Sequence, residues 1–113
     1  MSLKKFPLLA AVVCALVLAP AALAASLTIK TTPTRVKLGH SVEMLISGLK
    51  PGEKVKGKEV APFGQTRTIY PSRRANGAGQ ILVTVKAQIK GKHTWTFTGR
   101  TSHRKGTTVY YVK

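Results

Sequence analysis

Apolar and polar residues alternate with a period of two through most of the chain after residue 26, the signature of strands with one dry and one wet face. Leu27 and Ile29 alternate with Thr28 and Lys30 up to Thr32-Pro33, and Val36 and Leu38 suggest a short continuation before Gly39. Val42, Met44 and Ile46 alternate with Glu43, Leu45 and Ser47. In QILVTVKA, Ile81, Val83, Val85 and Ala87 share one face, and Thr84 and Lys86 the other. In HTWTFTG, His93, Trp95 and Phe97 oppose Thr94, Thr96 and Thr98. Further strands are predicted at Lys54–Val60, Thr66–Tyr70 and Thr107–Val112.

Turn signals separate these runs. Pro51-Gly52 fits a type II turn, because proline presets φ at the first central position and glycine permits positive φ at the second. Asn76-Gly77 marks a turn within the loop SRRANGAG, residues 72 to 79, and Lys90-Gly91-Lys92 marks another. Residues 99 to 106 form a basic loop. About seven short strands at this spacing, with no helical periodicity, predict an all-β antiparallel sandwich. Lys54, Lys56 and Lys58 should share a face, Gly57 invites a bulge, and a strand so rich in lysine is expected at a sheet edge.

The first 24 residues have a different character. Lys4 and Lys5 precede an uncharged apolar run, which Pro20 and the triplet Ala22-Leu23-Ala24 bring to a close. This is the pattern of a secretory signal peptide, with cleavage expected after Ala24. The run is also long enough for an uncleaved anchor, but Pro20 and the small-residue triplet favour cleavage. Cys14, the single cysteine, follows Val13 inside the apolar run, so it reads as a signal-helix residue and not a lipidation site. The expected domain, residues 25–113, is then exported, without a cysteine or a transmembrane segment, and held together by its core alone.

Three runs carry a resemblance: GHSVEMLISGLKPGEKV from Gly39, NGAGQILVTVKA from Asn76 and GKHTWTF from Gly91. Together they resemble the immunoglobulin-like β-sandwich modules of bacterial exported proteins. The resemblance spans nearly all of residues 25–113 and rests on turn and core positions. It implies the fold, and for function it implies a spacer, adhesion, carbohydrate-binding or assembly role. The chain departs from the usual pattern in carrying one such module by itself, which argues against a spacer.

Charge changes the picture most. The chain carries 19 Lys and Arg against three acidic residues, a net +16. Two of those bases lie in the leader, so 17 bases face Glu43, Glu53 and Glu59 across residues 25–113, a net +14. Such an excess repels itself and calls for an anionic partner such as a cell-wall polymer, a phosphorylated glycolipid, an acidic polysaccharide or extracellular DNA. Lys54, Lys56 and Lys58, then Arg73 and Arg74, then Arg104 and Lys105 are the candidate polyanion-binding residues, brought together if their loops converge at one end of the sandwich. A solvated charged surface is the competing explanation.

Other chemistry is poorly provided for. There is no aspartate, and three scattered glutamates cannot make a calcium site. A Ser41-His40-Glu43 triad fails because neighbours on a strand point to opposite faces. His93 and His103 flank the 99–106 loop, but a zinc site needs more ligands than two imidazoles. No catalytic residue, metal or cofactor is expected. Phe63, Tyr70 and one of Tyr110 or Tyr111 are too few stacking candidates for sequence-specific nucleic-acid recognition. A threonine array that orders water would need repeats on several strands, and only residues 94 to 98 display one, so Trp95 and Phe97 are expected to be the purposeful half of that strand. The expectation is therefore an exported binding protein, not an enzyme, that meets an anionic component through its basic surface. The alternative is a structural or adhesion module that pairs a free strand edge with a protein partner.

Overall fold

The computed structural model describes residues 26–113, and the expected leader and its cleavage site lie outside them. Among the described residues eight strands are formed: β1 (Thr28–Thr32), β2 (Arg35–Val36), β3 (Ser41–Ser47), β4 (Val55–Val60), β5 (Thr66–Ile69), β6 (Ile81–Lys86), β7 (Gly91–Gly99) and β8 (Lys105–Val112). They build a three-stranded sheet, order β1-β3-β6, and a five-stranded sheet, order β2-β8-β7-β4-β5. The all-β expectation holds, with one strand more than the seven expected and one parallel pair, β2 with β8.

The alternation found in the sequence becomes the core. Val42, Met44 and Ile46 of β3, Ile81 and Val83 of β6, Val55 of β4, Trp95 and Phe97 of β7 and Tyr110 and Val112 of β8 are buried between the sheets. Trp95 and Phe97 stack with ring centroids 5.6 Å apart. At the Pro51-Gly52 turn, Gly52 takes φ 79°, as a type II turn requires.

Two expectations about β4 are corrected. It is not an edge strand: it runs between β7 and β5, and β5 is the edge. Nor does Gly57 form a bulge, because its register is continuous with Phe97 on one side and Ile69 on the other. A Cβ at Gly57 would lie 2.7 Å from Phe97 Cε1 and 3.1 Å from Ile69 Cγ1. The glycine makes room for a buried ring, and the strand stays regular.

The N-terminal segment belongs to both sheets. Ser26 bridges Lys105 in parallel, and Leu27 N–H donates to Lys105 O at 2.9 Å. β1 then crosses to pair with β3, and beyond the cis Thr32–Pro33 peptide β2 returns to lie parallel to Tyr111 and Val112.

One end of the sandwich holds the loops 48–54, 70–80 and 100–104. Glu53 is buried there and ties two of them together. It accepts from Lys50 N–H at 2.9 Å through Oε1, and from Thr101 and Ser102 N–H at 2.8 and 2.5 Å through Oε2. The opposite end holds the turns 37–40, 61–65 and 87–90.

Candidate functional site

The outer face of the five-stranded sheet follows from register. On β4, Val55, Gly57 and Glu59 point inward and Lys56, Lys58 and Val60 outward. Lys58 lies opposite Thr68 of β5 and Thr96 of β7, and Thr96 lies opposite Thr107 of β8. The next row runs Lys56, Thr98, Lys105, and the row on the other side Thr66, Val60, Thr94, Val109. With strands about 4.8 Å apart and rows about 6.8 Å apart, Lys56, Lys58 and Lys105 form a triangle of ammonium groups set among hydroxyls. Lys56, Lys58, Val60, Thr96, Thr98 and Lys105 line one open depression on this face. Thr96 and Thr107 hydroxyls are 3.2 Å apart across the strands.

The strands that flank β7 do not repeat its threonines: across from Thr94, Thr96 and Thr98 stand Val60, Lys58 and Lys56 of β4 on one side and Val109, Thr107 and Lys105 of β8 on the other. Thr66 and Thr68 lie one strand further out, on β5.

The seven candidate basic residues divide. Lys56, Lys58 and Lys105 meet on the sheet face. Lys54 precedes the strand and does not join them. It lines a hollow at the loop end with Gly52, Arg74, Arg100 and Thr101, and Arg100 is a member the sequence reading missed. Arg74 Nη1 donates to Gly52 O at 3.2 Å and Arg104 Nη1 to Gly48 O at 2.6 Å, so both brace loops. Arg73 lines a separate hollow with Tyr70, Leu82 and Thr84. Convergence of all three clusters at one end is therefore corrected: β-sheet register carries Lys56, Lys58 and Lys105 onto a broad face, and Lys54, Arg73, Arg74 and Arg104 stay at the loops.

The carboxylates explain why that face keeps its charge. Glu53 and Glu59 are buried, and Glu43 is exposed on the outer face of the other sheet. Burial pushes the Glu53 carboxyl up, and the N–H groups of Ser102, Lys50 and Thr101 overcome this and hold it at about 2. Among the described residues, Arg67 is the one lysine or arginine in an ion pair, its Nε 3.2 Å from Glu59 Oε1.

Glu59 also anchors a buried polar cluster that the sequence reading missed, although its inward position on β4 follows from alternation. Its Oε2 lies 2.8 Å from His93 Nδ1, and His93 Nε2 donates to Ile89 O at 2.6 Å. Tyr110 O–H donates to Glu59 at 3.5 Å, accepts from Trp95 Nε1–H at 3.4 Å, and stacks on His93 at 5.0 Å. Burial raises the Tyr110 hydroxyl above its ordinary range. The Arg67 guanidinium sits 5.4 Å over the Trp95 ring. A cavity lined by Glu59, Gln65, Arg67, Lys86, Gln88 and His93 opens beside this cluster. Both imidazole nitrogens are engaged, so His93 offers the cavity no free lone pair, and the cluster is suited to holding a charge inside the fold. His93 and His103 stand near opposite ends of β7, so the approach considered between them does not occur. Among the described residues, no three His, Cys, Asp or Glu side chains come together.

No family model matches the chain, and no curated protein matches it in sequence. Among solved structures the chain is similar to macromomycin, with 14% identity over 78% of this chain and 100% of that chain, at a TM-score of 0.56. It is also similar to the superoxide reductase (neelaredoxin) from Ignicoccus hospitalis, with 11% identity over 78% of this chain and 80% of that chain, at a TM-score of 0.55. At such identities the likeness bears on fold alone, and it places the chain among small all-β folds.

Proposed function

We propose that the chain is an exported, non-catalytic binding protein of immunoglobulin-like fold, with residues 1–24 removed, that holds an anionic polymer against the outer face of its five-stranded sheet. The observation that carries this reading is the Lys56, Lys58 and Lys105 triangle, set among threonine hydroxyls on a face without a carboxylate. Ammonium groups attract phosphate, sulfate or carboxylate groups over a Debye length, and the hydroxyls donate to the same oxygens at short range. A flat face with charges about 7–12 Å apart suits an extended chain of anions and needs no base readout. Lys54, Arg74 and Arg100 extend the positive field at the loop end.

The test replaces Lys56, Lys58 and Lys105 with serine and measures binding to heparin across a salt series. Loss of three contacts should weaken binding and lower the slope of log K against log salt by about 2, at about 0.7 per charge for a flexible strand. Near-UV circular dichroism should stay native, because all three side chains point away from the core. Unchanged affinity and slope in the folded variant would overturn the reading. A second reading, pairing of a strand edge with a protein partner, is favoured by β6, which among the described residues pairs with β3 alone and exposes Leu82. Binding of that kind would change little with salt.

A further inference from the structure

The end of the sandwich opposite the loops carries a feature that polymer binding on the sheet face does not use. β4 and β5 are joined by a tight turn, closed by Ala61 N–H to Gln65 O at 2.7 Å and Gly64 N–H to Ala61 O at 3.2 Å. Phe63 stands at its tip with φ 70° and ψ 16°, left-handed backbone that a large side chain rarely adopts. Its side chain gains nothing from the fold, being 93% exposed. The turn is fixed against its neighbours: a Cβ on Gly91 would come within 2.7 Å of Pro62 Cγ, so Pro62 is seated on the Lys90-Gly91-Lys92 turn. The 37–40 turn is joined to the same region by Gly39 N–H to Ala87 O at 2.7 Å and Ala87 N–H to His40 O at 2.8 Å. It adds a second exposed apolar side chain, Leu38, 46% exposed, beside Lys37.

This end therefore presents exposed apolar side chains at Phe63 and Leu38 and cations at Lys37, Lys90 and Lys92. His40, Lys86 and Lys113 are further titratable groups at this end. Glu59 lies buried beneath it, and Glu43 faces sideways on the three-stranded sheet. A stable protein contact at this end would bury about 800 Å² on each side around an apolar core, more than two separate apolar side chains supply, and a soluble polyanion has no use for an aromatic ring. A fluid surface that is anionic outside and apolar within matches both parts. We propose that this end docks on an anionic lipid bilayer, with Phe63 entering the boundary between headgroups and acyl chains and Lys37, Lys90 and Lys92 held at the phosphates. Each lysine near such a surface strengthens attachment about fivefold, and insertion of the ring supplies the hold that salt does not screen.

The test uses the chain as the cell produces it, sedimented with vesicles of phosphatidylcholine alone or with roughly a third phosphatidylglycerol, at about 0.1 M salt. The protein should partition to the anionic vesicles and stay free of the neutral ones. Phe63→Asn should reduce that partition at least roughly tenfold. Asparagine accepts left-handed backbone more readily than phenylalanine, so the turn should survive, and heparin binding should stay unchanged. In Phe63→Trp the introduced indole should shift its emission to the blue with anionic vesicles, whereas the buried Trp95 of the parent chain should not. The proposal is overturned if the parent chain ignores anionic vesicles, if Phe63→Asn binds them equally well, or if the indole stays in water while the protein sediments. Loss of heparin binding by the triple-serine variant leaves these outcomes untouched, so the two readings fail separately.

Discussion

Replacing Glu53 with glutamine tests how the loop end is held together. The carboxylate accepts three backbone N–H groups from two loops, and glutamine keeps one acceptor oxygen while turning an N–H₂ toward former donors. The folded state holds the Glu53 carboxyl at about 2 against an ordinary 4.5. A depressed carboxyl contributes stability that is complete above the unfolded value and is lost as pH falls through the folded one. At about 1.4 kcal/mol per pH unit, that interval comes to about 3 kcal/mol near pH 7, a large share of the 5–15 kcal/mol typical of a domain. Urea unfolding followed by Trp95 fluorescence should therefore find Glu53→Gln about 3 kcal/mol less stable at pH 7. The gap should shrink to about 1 kcal/mol at pH 3 and below about 1 kcal/mol at pH 2, where the parent carboxyl is itself half protonated. A gap that stays constant from pH 7 to pH 2 would mean that shape and not charge makes Glu53 matter, and the reasoning would fail.

Three further substitutions examine the two faces of the larger sheet. Trp95→Ala should cost about 3–5 kcal/mol, since the ring is fully buried, while Thr96→Ala on the wet face should cost under about 1 kcal/mol; equal losses in denaturant titrations would mean the faces are misassigned. Gly57→Ala should cost about 1–3 kcal/mol through overpacking, because its Cβ would meet the rings and branches of Phe97 and Ile69; a thermal midpoint equal to the parent's would show that the site can yield.

The faces of β3, β6 and β7 were legible because each strand carries its own period of two. So was the Pro51-Gly52 turn, whose signal is local. The order of strands was not legible, since which strand lies beside which is decided by contacts far apart in sequence. That is why β4 was expected at an edge and Gly57 at a bulge: both inferences took local chemistry as a guide to a nonlocal position. The same limit divided the basic residues. Alternation on β4 was enough to put Lys56 with Lys58, but only the pairing of β7 with both β4 and β8 puts Lys105 beside them. Phe63 was noted as an aromatic, yet its left-handed backbone depends on how the β4–β5 turn closes, which the residue types do not announce.

The parallel course of β2 beside β8 has a mechanical consequence. Ser26 sits at the loop end, and β8 runs toward the opposite end, so tension applied at Ser26 and Lys113 pulls these neighbouring strands lengthwise in opposite directions. The bonds from Leu27 N–H to Lys105 O, Tyr111 N–H to Thr34 O and Lys113 N–H to Val36 O, at 2.9, 2.8 and 2.9 Å, lie across that direction. They are loaded together in shear and cannot be peeled open one after another, as the rungs of a hairpin pulled at its open end would be. A domain stitched in this way should resist stretching along its length better than its modest size suggests.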